Sequence, residues 1–173
     1  MRDARGTLRG AARGPLERRS LVPGPGEPRP RLQPRLRGRL RRRGGGQAAG
    51  GNLGTLCLLF GTSFMPDLEG SLLVLEDDEE ILPVHVDRLL RSLIHQLGFE
   101  GVRDLVLGRF QRASEMNPDT IKAIDESKRE LAGVPVVANA SFGHTTPQFT
   151  FPIGGYGRVR AADGAVKLWI DEH

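Results

Sequence analysis

A chain of 173 residues is long enough for one folded domain with an appendage, which excludes a large multidomain assembly. The formal charge of +4 averages two opposite parts, because residues 1–50 contain 14 arginines and three acidic residues and carry +11, which leaves −7 for the other 123 residues. The single cysteine excludes an intramolecular disulfide, and no apolar run has the length of a membrane-spanning helix. These features predict a cytoplasmic protein.

The arm, residues 1–49, has the composition of a disordered segment. Arg, Gly, Pro and Ala supply 35 of the first 50 residues, without helical or alternating apolar periodicity. Prolines remove hydrogen-bond donors and the arginines repel one another, so this stretch lacks the means to build a core. A solvated tail is the favoured interpretation. Weak attraction of nucleic acid by the arm's charge, and translation of a wrong reading frame, are the alternatives.

Beyond the arm, apolar blocks alternate with turn signals in the manner of an α/β domain, which we assign to residues 50–173. The segment 52–60 predicts a short buried helix with Asn52 as its N-cap. Residues 71–75 predict a buried strand that delivers Glu76, the first of five consecutive acidic residues, at its end.

Two longer helices are predicted next along the chain. Residues 88–97 place their leucines on one face, with Asp87 as the N-cap and Leu97 as the last apolar position. His95 falls on the polar face of this helix and is interpreted as solvated. The segment 117–131 begins with an Asn-Pro pair, carries acidic residues in its first turn and ends before a glycine, which is the pattern of a second helix.

Short apolar segments predict the remaining strands. Two are predicted at residues 105–107 and 134–140, as buried strands flanked by turn signals. Residues 158–170 alternate in polarity and predict a hairpin with its turn at Asp163-Gly164. Trp169 is interpreted as a half-buried strand residue.

Glu76 and His144 each come directly after an apolar strand, at the side of α/β sheets where sites are commonly built. A histidine with an ordinary pKa of about 6.5 can take and return a proton, and a carboxylate bonded to its second ring nitrogen fixes the tautomer and stabilises the imidazolium. The two residues would supply two members of a hydrolytic triad; the alternative is a pair of ordinary strand-end residues. His85 competes, but it alternates with valines and is expected on the exposed face of an extended segment.

No nucleophile or metal site accompanies this pair in the sequence. There is no Gly-x-Ser-x-Gly motif, and no serine lies in a strand-to-helix turn with glycine support. Cys57, a lone thiol among leucines, is interpreted as a core residue. The four histidines lack metalloprotease spacing, and the glycine clusters match neither P-loop nor dinucleotide fingerprints. We therefore predict that the domain binds no metal and no cofactor.

Six motifs, taken together and in order, resemble one known family. They occupy the ranges 50–62, 65–70, 72–77, 86–90, 142–147 and 151–155. Their order and spacing are similar to those of the C-terminal domain of the LD-carboxypeptidase and microcin C immunity protein family of serine peptidases. The Phe-Gly-His-Thr-Thr-Pro form of the histidine motif is closer to the immunity proteins.

This resemblance implies a fold, a site and an activity. The fold is an α/β domain of the swivelling β/β/α type, which in relatives packs against a flavodoxin-like domain that carries the nucleophilic serine. Glu76 and His144 match the triad glutamate and histidine, and Gly51, Asn52 and Thr145 are assigned to substrate binding. Relatives need no metal to cleave the bond between an L-residue and a C-terminal D-alanine in cell-wall tetrapeptides, or the amide that joins peptide to nucleotide in processed microcin C.

Nothing before the matched motifs resembles the serine-bearing domain, because the arm stands in its place. We therefore expect the C-terminal part of a serine LD-carboxypeptidase, truncated or misframed upstream and inactive alone. The expected partner is a peptide or peptide–nucleotide substrate; a homodimer is compatible with relatives that tend to pair, and no membrane contact is expected. The alternative function is a non-catalytic peptide- or protein-binding domain with a basic tail.

Overall fold

The computed structural model describes residues 45–162 and 165–172. Two sequence predictions lie outside this range: the greater part of the disordered arm, residues 1–44, and the hairpin turn at Asp163-Gly164. Within the described range, no helix is both long enough and apolar enough to cross a membrane.

Six strands form one sheet at the centre of the domain. They are β1 (Gly46–Asn52), β2 (Leu72–Glu76), β3 (Asp104–Gly108), β4 (Val136–Ala140), β5 (Tyr156–Ala162) and β6 (Ala165–Glu172), in the spatial order β4-β3-β2-β1-β5-β6. Strands β1 to β4 run parallel, whereas β5 pairs antiparallel with both β1 and β6. This arrangement confirms a mixed α/β fold, and β2, β3 and β4 confirm the three predicted buried strands. The finer description as a swivelling β/β/α domain stays a prediction.

Helices connect the parallel strands in the order of the sequence. They are α1 (Leu53–Cys57), α2 (Pro83–Ile94) and α3 (Pro118–Glu126), with 3₁₀ turns at Phe99–Gly101, Arg112–Ser114 and Arg129–Gly133. Because each crossover joins neighbouring strands in the same direction, and such crossovers are right-handed, the helices lie on one face of the sheet. There they bury Leu73 and Leu75 of β2 and Leu105 and Leu107 of β3 in the larger core. α1 occupies only the first half of the predicted helix 52–60.

The opposite face of the four parallel strands is covered by a loop and by the C-terminal hairpin. Leu72 and Val74 of β2 point to this side, where they pack with Phe142 and Leu168 in a second core. Side chains therefore alternate along β2 between the two cores. By the same alternation, Glu76 at the end of the strand belongs to the loop-covered face.

The predicted C-terminal hairpin is confirmed as β5 and β6. Trp169 on β6 is half-buried, as predicted. The guanidinium of Arg158 lies 5.6 Å from the centroid of the Trp169 ring. It also donates two hydrogen bonds to Asp171, at 2.6 and 2.8 Å. The guanidinium over the indole is thus also paired with a carboxylate across the two strands.

Helix α2 begins earlier than the sequence predicts. It starts at Pro83, so Asp87 lies inside the helix and the prediction that it forms the N-cap is wrong. His85 lies in the first turn of this helix, so its prediction as part of an extended segment is wrong as well. Proline suits the first helical position because its fixed φ is helical and its missing amide needs no partner there. The amide of Leu82 donates to His85 Nδ1 at 3.3 Å.

Both longer helices also end earlier than predicted. α2 ends at Ile94, which leaves Leu97 95% exposed, so its prediction on the apolar face is wrong. α3 ends at Glu126, because the chain then turns to bury Lys128, whose ammonium donates to the carboxylate of Asp87. This ion pair ties the end of α3 to the middle of α2.

Strand β1 has no counterpart in the sequence prediction, and it includes residues 46–49, which composition assigns to the arm. Its sequence, Gly-Gln-Ala-Ala-Gly-Gly-Asn, lacks the β-branched and aromatic residues that signal strands. Small residues are needed here, since a Cβ atom at Gly50 would lie 2.1 Å from the carbonyl oxygen of Val74 on β2. This close approach lets β1 pair with β2 as far as Asn52 and Glu76.

Replacing Asn117 by Ala is expected to destabilise the domain by about 1 kcal/mol. The Asn117 side chain accepts hydrogen bonds from the amides of Asp119 and Thr120 at 3.0 and 2.9 Å, so it caps α3 as predicted. Urea unfolding measures the change. Asn117→Asp retains the acceptor and is the matched control, with little expected change. An Ala variant as stable as the parent would contradict the capping role.

Candidate active site

Glu76 and His144 meet at the carboxyl-terminal edge of the parallel strands. Glu76 is the last residue of β2, and His144 lies in the loop that follows β4. The carboxylate oxygen Oε2 accepts a 2.7 Å hydrogen bond from the imidazole Nδ1, across 68 positions in the chain. The structure thus brings together the two residues that the sequence analysis paired. Their catalytic role stays a prediction.

The loop that carries His144 must cross the end of β3, because β3 lies between β2 and β4 in the sheet. A Cβ atom at Gly108, the last residue of β3, would lie 2.8 Å from Glu76 Cβ and 2.9 Å from the carbonyl oxygen of Phe142. A Cβ atom at Gly143, whose φ is +94°, would lie 2.6 Å from Glu76 Oε2. Two residues without side chains therefore leave the space in which the carboxylate and the loop meet.

Three phenylalanines fix the ends of this loop against the sheet. Phe142 packs edge-to-face on Phe151 and Phe149, with ring centroids 5.0 and 6.1 Å away. Phe142 is also a member of the second core. The amide of Phe149 donates to the carbonyl oxygen of Ser141 at 2.8 Å, which closes the loop at its base. The loop that carries His144 is therefore anchored to the sheet by packed aromatic rings.

Burial differs between Glu76 and His144, the two partners of this hydrogen-bonded couple. The side chain of Glu76 is 10% exposed, and that of His144 is 51% exposed. The hydrogen bond to Glu76 raises the pKa of His144; partial burial opposes this, while the charges of Glu76, Asp78 and Asp77 add to the increase. The second ring nitrogen, Nε2, has no hydrogen-bond partner in the described part of the chain. It can therefore take a proton from a hydroxyl group brought next to it.

Asp77 is a residue that the sequence analysis does not distinguish from its four acidic neighbours. Strand alternation turns it to the helix-covered face, where it is buried. Its Oδ2 accepts from the amide of Gly54 at 3.0 Å, and its Oδ1 accepts from Asn52 Nδ2 at 2.8 Å. Asp77 thereby anchors the start of α1 to the end of β2. A run of acidic residues carries no signal for which carboxylate is buried.

The three residues assigned to substrate binding adjoin the couple in different ways. Asn52 is the register partner of Glu76, and its Oδ1 caps α1 by accepting from a backbone amide at 2.8 Å, as predicted. Gly51 has open space where a Cβ atom would point. Thr145 follows the histidine, and its Oγ1 is buried without a hydrogen-bond partner among the described residues. Contact of these residues with a substrate stays a prediction.

The other candidate groups are structural or solvated. Cys57 packs against the larger core, as predicted, and burial together with the charge of Asp77 raises the pKa of its thiol to about 11, which disfavours the nucleophilic thiolate. His95 is exposed, as predicted. In residues 45–162 and 165–172, no group of three or more His, Cys, Asp or Glu side chains is arranged to hold a metal ion.

Comparison with known proteins identifies the family. The family model described as the LD-carboxypeptidase C-terminal domain matches residues 45–159. The chain belongs to the LD-carboxypeptidase family. YocD of Bacillus subtilis (strain 168) is 47% identical over 129 residues, which cover 74% of this chain and 39% of that protein. This member of the LD-carboxypeptidase family therefore spans about two fifths of the length of that relative.

Two solved structures share the fold of this LD-carboxypeptidase domain. An MccF-like protein from Bacillus anthracis (strain Ames) gives a TM-score of 0.72 at 42% identity, over 75% of this chain and 40% of that one. A muramoyltetrapeptide carboxypeptidase from Oxalobacter formigenes gives a TM-score of 0.62 at 29% identity, over 75% of this chain and 46% of that one. The family resemblance inferred from the six motifs is confirmed.

Glu76→Gln is expected to lower the pKa of His144, because the variant loses the carboxylate that raises it. In the parent, the stabilisation from this pair is complete below the unfolded-state pKa of about 6.5 and is lost as the pH rises through the raised folded-state pKa. In the variant, this pH-dependent part of the unfolding free energy should disappear. NMR titration of the His144 ring and urea unfolding across this pH range measure the two effects.

Glu79→Gln is the matched control for this experiment. It removes the same charge from an exposed neighbour that forms no hydrogen bond with His144. The His144 titration should then stay close to that of the parent. If His144 titrated alike in the parent and in Glu76→Gln, the hydrogen bond between the two side chains would be absent in solution.

Gly143→Ala is expected to break the couple and to destabilise the domain by about 2 kcal/mol. The new Cβ atom would overlap Glu76 Oε2, and the positive φ is unfavourable for alanine. Gly154→Ala is the matched control, because its φ of +84° imposes similar strain in open space. Urea unfolding and the His144 titration separate the two variants. Equal behaviour of both would argue against the steric role of Gly143.

Proposed function

We propose that this chain supplies the acid–base part of a serine LD-carboxypeptidase site, and that the nucleophilic serine comes from a separate domain. The observation that supports the proposal is the 2.7 Å hydrogen bond between His144 Nδ1 and Glu76 Oε2, in a domain of this family. A buried carboxylate that orients an imidazole and leaves its Nε2 open is the arrangement that activates a hydroxyl nucleophile.

In the proposed reaction, His144 acts first as a general base. Its Nε2 takes the proton of the serine hydroxyl as the oxygen attacks the scissile carbonyl, while Glu76 holds the Nδ1–H tautomer and stabilises the imidazolium. The imidazolium then donates its proton to the leaving amine, and a water molecule is activated in the same way to hydrolyse the acyl-enzyme. Because the neutral imidazole is the competent base, activity should rise with pH through the raised pKa of His144.

The proposed substrate is an amide at the end of a peptide, in a cell-wall tetrapeptide or in a peptide–nucleotide conjugate. One similar structure is a muramoyltetrapeptide carboxypeptidase. Another is an MccF-like protein from Streptococcus pneumoniae in complex with AMP, with a TM-score of 0.60 at 27% identity. Gly51, Asn52 and Thr145 are the proposed contacts, because they adjoin the couple.

The chain alone is proposed to be inactive, because no serine in the described part of the chain is hydrogen-bonded to His144. In that state, non-catalytic binding of a peptide or a protein is the second candidate function. A cytoplasmic location, pairing of two copies and weak nucleic-acid binding through the arm are further parts of the proposal.

The proposal is tested with a chimera in which this chain, from residue 45 onward, replaces the matching segment of YocD. We expect the chimera to release D-alanine from a cell-wall tetrapeptide, whereas the 173-residue chain alone does not. Glu76→Gln and His144→Ala in the chimera should each lower kcat by about 10³-fold or more, because the triad acts as a unit.

His95→Ala is the matched control, since it removes an exposed histidine outside the site and should leave kcat unchanged. A chimera with His144→Ala that retained the parental rate would refute the assignment of the base. Turnover by the 173-residue chain alone would refute only the external origin of the serine.

A further inference from the structure

The segment that follows β3 holds both ends of the loop 144–147. Gln111 Nε2 donates a 2.6 Å hydrogen bond to the carbonyl oxygen of His144, 33 positions away in the chain. Arg109 Nη2 donates a 2.7 Å hydrogen bond to the carbonyl oxygen of Pro147, 38 positions away. The loop is thus tied at two points to the end of the neighbouring strand.

This segment is itself firmly attached to the sheet. The amide of Arg109 donates to the carbonyl oxygen of Ala140 at 2.9 Å, which continues the pairing of β3 with β4. The carbonyl oxygen of Gln111 accepts from both the amide and the hydroxyl of Ser114, at 3.2 and 2.7 Å, and Ser114 is fully buried. The backbone that carries the Gln111 side chain is therefore fixed on both sides.

The Gln111 side chain makes no other hydrogen bond among the described residues. Its Oε1 is buried and unpaired, which is unfavourable for an amide oxygen. Among the described residues, the bond to the His144 carbonyl is therefore the polar interaction that orders this amide. At the other end of the same segment, Gly108 lies against the Glu76 side chain. Residues 108–111 thus contact both members of the couple.

We infer that Gln111 is a positioning residue, which holds the peptide group of His144 so that the imidazole Nδ1 meets Glu76. His144 follows a glycine and its side chain is half exposed, so packing constrains it little. Without the Gln111 bond, the carbonyl oxygen is free and the short contact with Glu76 forms for a smaller fraction of the time. The meaning for catalysis rests on the proposed function; the placement of the imidazole does not.

NMR titration of His144 in the full chain tests this inference without a substrate. Gln111→Met retains the size of the side chain but not the donor. We expect the pKa of His144 to fall at least halfway from its parental position to that in Glu76→Gln, where the carboxylate is absent. Gln96→Met is the matched control, since Gln96 Nε2 donates a similar 3.0 Å bond to the carbonyl oxygen of Ser92. Its loss should leave the His144 titration unchanged.

Gln111→Asn is a second variant, which retains the amide but is one methylene too short to reach the carbonyl, so the same fall is expected. Melting temperatures show whether each variant folds. Folded Gln111 variants with a parental His144 titration overturn the inference, and so does a parent whose Gln111 side-chain amide protons exchange freely. A shift in these variants together with an inactive chimera would refute the proposed function and leave this inference standing.

Discussion

The hydrogen bond between His144 and Glu76 depends on two glycines, Gly108 at the end of β3 and Gly143 in the loop after β4. Strands β2 and β4 are not neighbours in the sheet, so residues at their ends meet only if the loop passes over β3. A methyl group at Gly108 or Gly143 would occupy the space that the carboxylate and the loop share. The site therefore depends on clearance at two backbone positions as much as on its two ionisable groups.

The two faces of the sheet contribute differently to this site. The helix-covered face holds the larger core and fixes the ends of the parallel strands, whereas the other face presents the loop from a cluster of phenylalanines. Glu76 is buried and His144 is half exposed, so the carboxylate is shielded while Nε2 stays accessible. A buried negative charge interacts most favourably with the imidazole when the imidazole is protonated, which is the state that a general base reaches as it removes a proton.

Sequence patterns predicted the features that depend on local chemistry or on several motifs read together. The strand-end positions of Glu76 and His144 suggested the pair, and the family resemblance assigned it triad roles, although 68 positions separate the two residues. The prediction of where α2 starts was wrong because Asp87 has the chemistry of a cap, whereas Pro83 has the geometry of a first helical residue. Strand β1 was missed because close approach to β2 requires small residues, which carry no strand signal. Gln111 was missed because a side-chain bond to a distant carbonyl leaves no periodicity.

The last residue of β2 and the residue after it both carry carboxylates, and the two bind different partners. Glu76 faces the loop and binds the imidazole, while Asp77 faces the helices and binds the start of α1. Only the two-residue repeat of a strand separates them, so the insertion or loss of one residue within β2 would exchange their directions. Loss of one residue would turn the shorter aspartate toward the imidazole, and insertion of one would turn the longer glutamate toward the start of α1. The number of residues in β2, and not only their identity, is therefore a requirement of the site.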